Sequence, residues 1–186
     1  MDTNTFIIEL IKALAWPVTA LIMFLIVRKP LLRLLPQVQR LKVMEFELDF
    51  GEQVREVSAE VRRQLDVSPS LSRANRALHD HYERLAPLSP RAVILEAWLQ
   101  LEDAAVAAAR KANLGLSSQD LYAPKPLGEA LEKAGILEGG TVKIYNDLRN
   151  LRNAAAHAAE FSIDSSVAMT YADSAIRLTE YLLSKG

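Results

Sequence analysis

A chain of 186 residues suits one modest domain with an appendage. Half of its residues are hydrophobic while only 6% are aromatic, a balance set by alanine and leucine that favours helices. With no cysteine it has no disulfide, thiol nucleophile or zinc knuckle; its 3 histidines argue against a histidine-rich metal centre, and its net charge of -1 gives no global pull toward nucleic acid or acidic lipid.

Residues 6–27 are almost wholly apolar, interrupted by Glu9 and Lys12, and residues 13–27 carry no charge. A helix needs about 20 apolar residues to cross a bilayer, so a span must be counted from Phe6, with Lys12 snorkelling and Glu9 near the interface. Pro17 is tolerated in such a helix. A cleaved signal peptide fits less well, because Asp2 makes the start acidic and no small-x-small site precedes Arg28. Residues 1–28 are therefore expected to be a transmembrane anchor. Arg28, Lys29 and Arg33 flank it, with Arg40 and Lys42 beyond and no acid before Glu45. The positive-inside rule then places the N-terminus outside and the rest in the cytoplasm, as a single-pass inner-membrane protein of bacterial type. The leucines among these cations suit either contact with the anionic leaflet or a solvated connector.

Residues 29–67 are expected to hold that basic segment, a strand and an amphipathic helix. Across 43–50, Met44, Phe46, Leu48 and Phe50 alternate with Glu45, Glu47 and Asp49, which predicts a strand ending at Gly51. Val54, Val57, Val61 and Leu65 then form a narrow helical stripe, suited to self-association or to packing on the domain behind it. A strand without a visible partner, followed by such a stripe, favours a homodimer or higher oligomer. Residues 68–89 read as a linker, serine-rich with Pro69, and a short helix over 76–85. His79 and His81 on that helix lie on different faces and are expected to be solvated.

Residues 90–186 are expected to form an up-and-down helical bundle. Ser89 and Pro90 start a helix that runs to about Asn113, with Val93, Ala97, Leu101, Ala104 and Ala108 inward. A short helix over 127–134 ends at Gly135. Thr141 is a plausible cap for a helix reaching about Ala159, and Asp164 for a last helix with Val167, Tyr171, Leu178 and Leu182 buried.

The polar helix carries the chemistry. Residues 148–159 read LRNLRNAAAHAA, with Leu148, Leu151 and Ala155 as an apolar seam. Arg149 and Arg152 share one face, as do Asn153 and His157. Arg152 and His157, five apart, diverge by about 140° around the helix, so one copy makes a poor catalytic site. Two copies around a two-fold axis would bring both arginines and both histidines into one cleft. No phosphate loop, dinucleotide fingerprint or metal cluster supports an ordinary metabolic enzyme.

Arg152, Asn153, three alanines and His157 resemble the signature of the HEPN superfamily, an arginine and a polar residue followed at short spacing by a histidine. The resemblance covers residues 90–186, whose helices fit that family's small bundle. It implies a metal-independent endoribonuclease acting in stress or phage defence, with Arg152 and His157 shared across a dimer, Asn153 assisting, and no cofactor. An imidazole suits proton transfer near pH 7, and a guanidinium suits the charge on a crowded phosphate. Arg149 and Lys143 would extend a basic floor for RNA. The alternative is a non-catalytic oligomeric scaffold or sensor at the inner membrane that uses the same helix as an interface. A slight acid excess over residues 90–186 and the lack of aromatic residues beside the motif favour that alternative. Its arginines and Asn153 would then bind the neighbouring helix or its acids, such as Glu96 or Glu102.

Overall fold

Alanine-rich and leucine-rich stretches without glycine or proline become helices here, and all regular structure among the described residues is helical. The structure is a computed structural model that describes residues 16–17, 21–25, 47–65, 73–157 and 162–185. It divides into two units, Met1–Glu45 and Phe46–Gly186.

In Met1–Glu45 the described residues 16–17 and 21–25 are helical, and Trp16, Leu21, Ile22, Met23, Phe24 and Leu25 are exposed. Among the described residues no helix is long and apolar enough to cross a membrane. The expected transmembrane helix is therefore not among the described elements. The physical reason lies in the sequence: Glu9 and Lys12 leave only 15 uncharged residues, short of the roughly 20 that a span requires. The rest of the expected anchor, with Arg28, Lys29 and Arg33, lies outside the described residues.

The expected strand is also corrected. Residues 47–50 are helical and continue through Gly51 into a helix described over 47–64, α1; residues 43–46 lie outside the described residues. Phe50, Val54, Val57, Val61 and Leu65 are all buried, which is helical spacing throughout. Leu48, which a strand would bury beside Phe50, is 70% exposed, against 3% for Phe50. The two-residue alternation is a by-product of a helical stripe that starts one turn earlier than it looks. Gly51 does not end the element. It is buried inside α1, where an added Cβ would lie 3.6 Å from Val167.

The remaining helices are α2 (Arg73–Leu85), α3 (Pro90–Lys111), α4 (Ser118–Leu121), α5 (Pro124–Lys133), α6 (Gly140–His157) and α7 (Ser165–Lys185). They form a helical bundle with α3 at its centre, packed most extensively on α7 and also on α6, α5 and α2. Ala97, Ala104, Ala105, Ala108 and Ala109 of α3 and Ala168, Ala172 and Ala175 of α7 are buried, and such small side chains let two helix backbones approach closely. α2 runs antiparallel to α7: the Ser165 hydroxyl donates to the Ala86 carbonyl, His79 meets Asp173, and the Asn75 amide donates to Glu180. α1 spans the bundle from the start of α7, where Glu47 accepts from both the N–H and the hydroxyl of Ser162, to the start of α6, where Gln64 lies against Gly140. Its stripe is thus buried by the chain's own bundle and no longer argues for a second copy.

The caps follow the sequence closely. Ser89 accepts from the Ala92 N–H, and Asp164 accepts from Ser166, which holds the Asp164 carboxyl below its usual range. Thr141 acts from inside α6 and not as its cap: its hydroxyl donates to the Glu138 carbonyl and accepts from the Glu138 N–H.

Gly128 shows how tightly α5 meets α6. A Cβ there would fall 2.6 Å from the Tyr145 ring. That ring is fully buried, and its hydroxyl donates to the Pro124 carbonyl at 3.0 Å, so it has no free direction in which to move. Gly128→Ala is expected to cost about 1–3 kcal/mol, read as a lower denaturant midpoint at constant slope. An unchanged midpoint would mean that these helices stand further apart.

Candidate functional site

The seam of α6 fixes what its polar residues can reach. Leu148, Leu151 and Ala155 are buried as expected, and the Tyr171 hydroxyl of α7 donates to the Leu148 carbonyl at 3.0 Å. With α6 held in this rotation, Arg152 lies half-buried, between solvent and the bundle. Its Nη1 donates to Asn153 Oδ1 at 3.1 Å, while its buried Nε meets no acceptor.

Glu102 of α3 is the acid that senses this arginine. Burial pushes the Glu102 carboxyl up, and the Arg152 cation opposes the rise. No ion pair closes between the two among the described residues. Trp98, one turn before Glu102 on α3, is fully buried. Its indole N–H stands near enough to Glu102 to favour the ionised form, yet it finds no acceptor at hydrogen-bonding geometry. Two aromatic hydroxyls flank the cluster. Burial pushes the Tyr171 hydroxyl well up, against the nearby Arg152 charge, and it does the same to Tyr145, with Glu102 adding to the rise. Tyr145 also packs on Trp98 with ring centroids 5.4 Å apart. The result is a polar cluster of Trp98, Glu102, Arg152 and Asn153 in an apolar wall, holding two N–H donors without acceptors.

His157 is elsewhere. It is the last residue of α6 and is exposed, with no hydrogen bond or ion pair among the described residues. One chain therefore brings Arg152 and Asn153 together, while Arg152 and His157, five positions apart on one helix, diverge. Arg149 donates to Asn150 at 3.3 Å, and its charge reaches Tyr145. Lys143 is committed to Asp147 at 2.6 Å, with Glu60 and Glu56 of α1 adding to the pull that raises its pKa. It stays a charged, exposed lysine whose nearest neighbour is an acid of its own helix. Glu96, the other acid expected near the motif, instead meets His81 Nε2 at 2.9 Å.

Sequence reasoning named Glu102 as a possible partner and missed Trp98. The available signal was their spacing of four on a helix, which puts both on one face of α3. His79 was expected in solvent, but it is held by Asp173 of α7 at 3.3 Å. No family model, characterised protein or solved structure matches this chain, so its site has to be read from its own geometry.

Proposed function

We propose that the chain is a metal-independent, HEPN-like endoribonuclease that acts as a homodimer, pairing Arg152 of one protomer with His157 of the other. The observation that carries this reading is the unmatched Nε donor of a half-buried Arg152. Leaving a buried donor unpaired costs about 1–3 kcal/mol, and a phosphate oxygen is an acceptor that would relieve it. In the reaction, one imidazole takes the proton of the ribose 2′-hydroxyl. The 2′-oxygen attacks phosphorus, the bond from phosphorus to the 5′-oxygen breaks, and the leaving oxygen takes a proton from water, with the imidazolium returning its own proton to solvent. Arg152 carries the charge on the crowded phosphate, and Asn153 orients the guanidinium.

The proposed location is the cytoplasmic face of the inner membrane. The exposed side chains of Trp16, Leu21, Ile22, Met23, Phe24 and Leu25 suit the acyl boundary, and Arg28, Lys29 and Arg33 follow in sequence to meet anionic headgroups. A role in stress or phage defence rests on the resemblance to the HEPN superfamily.

The full chain in mild detergent is incubated with total RNA and chelator, beside Arg152→Ala and His157→Ala. The parent is expected to cut, and each variant to lose roughly 10²- to 10⁴-fold while keeping the parent's mass by light scattering. No cleavage by the parent, with variants that dissociate to monomers, would turn the motif into an interface and replace the nuclease with a scaffold.

A further inference from the structure

His79 is gripped from two sides. Its Nε2 lies 3.3 Å from Asp173 Oδ1 on α7, and its Nδ1 lies 3.8 Å from Glu83 Oε1, one turn further along α2. Asp80 adds a third group: one ligand-type atom each from His79, Asp80 and Glu83 lie within 4.8 Å of one another.

The chemistry of imidazole makes this arrangement informative. A neutral ring has one N–H and one lone pair. Asp173 faces Nε2 and Glu83 faces Nδ1, so whichever nitrogen of a neutral ring carries the proton, the other turns a lone pair toward a carboxylate. A cation resolves that repulsion. The separation also discriminates between occupants. At 3.8 Å the contact is too long for a hydrogen bond through a shared proton. Two ligands held about 2.1 Å from one tetrahedral metal stand about 3.4 Å apart, so a shift of a few tenths of an ångström completes the bite. Asp173 completes the pattern from a different helix, so helical spacing alone does not produce it. Metal-bound histidines nearly always donate their other N–H to a carboxylate or carbonyl, which fixes tautomer and ring orientation.

We propose that His79, Asp80 and Glu83 bind a divalent transition-metal ion of the zinc class, with Asp173 as the positioning residue for the imidazole. One nitrogen and two carboxylates suit zinc and disfavour magnesium, which prefers an octahedron of oxygens. Asp80 and Glu83 are exposed, so water completes the coordination. The ion ties α2 to α7 through His79 and Asp173, and binding therefore raises thermal stability. None of these residues belongs to the α6 motif, so the site stands or falls apart from the nuclease reading.

Calorimetry and thermal melts of the full chain with zinc chloride, and with magnesium chloride as control, test the site. The parent is expected to bind one zinc ion per chain and to melt higher with zinc and not with magnesium. His79→Ala, and the double change Asp80→Asn with Glu83→Gln, are expected to abolish both effects. Asp173→Asn should weaken binding about 10- to 100-fold, and His81→Ala should leave it unchanged. A parent that takes up no zinc, or a His79→Ala chain of parental affinity and native circular dichroism, overturns the site. Parental affinity in Asp173→Asn overturns the positioning role.

Discussion

An equal mixture of Arg152→Ala and His157→Ala chains, each inactive alone, is expected to recover roughly a quarter of the parental RNA cleavage. The expectation comes from the geometry of α6. On one helix the two side chains point about 140° apart. Arg152 is half-buried, within electrostatic reach of Glu102, while His157 is exposed at the helix end. In the proposed dimer a complete site takes its arginine from one chain and its histidine from the other. Random re-pairing makes half of the dimers mixed. Each mixed dimer holds one site with both groups and one with neither, so half of its sites work. Purifying the mixed species through two different tags should raise recovery to roughly half of parental turnover per dimer. A site built within one chain behaves differently: every site in the mixture lacks one group, and cleavage stays absent at any ratio. Mixed dimers that form and do not cut, while parental dimers do, would end the shared-site reading.

How much of this was legible depended on how often a pattern repeats. The inward positions of α3, Val93, Ala97, Leu101, Ala104 and Ala108, are all buried as expected. That helix offers several turns of one period and is fixed at its start by Ser89 and Pro90, so competing patterns are outvoted. Residues 43–50 offer too few repeats for such a vote. Phe46, Leu48 and Phe50 fit a period of two, and Phe50 with Val54 and Val57 fits a helix. Tertiary packing decides between them by burying Phe50 and leaving Leu48 out. The polar site was legible as a motif and not as an arrangement. Arg149 and Arg152 look equivalent in sequence, yet only Arg152 has a buried Nε without an acceptor. The acid facing it comes from α3, a helix distant in the chain. His79 escaped for the same reason: its partner Asp173 sits on α7, and no local spacing reports a contact between α2 and α7.

The same competition between periods yields a second large effect, on folding. A chain cut to begin at residue 68 is expected to lose cooperative thermal unfolding, whereas one beginning at Phe46 keeps it. The shorter fragment lacks Phe50, Val54, Val57, Val61 and Leu65, all buried in the unit Phe46–Gly186. Fully burying an apolar side chain contributes about 1.5–3 kcal/mol, so the five together contribute on the order of 10 kcal/mol. That equals the whole net stability of an ordinary domain, about 5–15 kcal/mol. Two point changes sharpen the test, because helix and strand assign Leu48 opposite fates. Val61→Asp places a charge in the buried stripe and is expected to cost about 3 kcal/mol or more. Leu48→Asp changes a side chain that is 70% exposed in the helix and should stay within about 0.5 kcal/mol of the parent. In a strand Leu48 would share the buried face with Phe50, and the same change would be as damaging as Val61→Asp. Near-ultraviolet circular dichroism and denaturant midpoints read both outcomes. Equal damage from the two variants, or a fragment from residue 68 that melts like the one from Phe46, would detach α1 from the bundle core and reopen its stripe as a surface for a second copy.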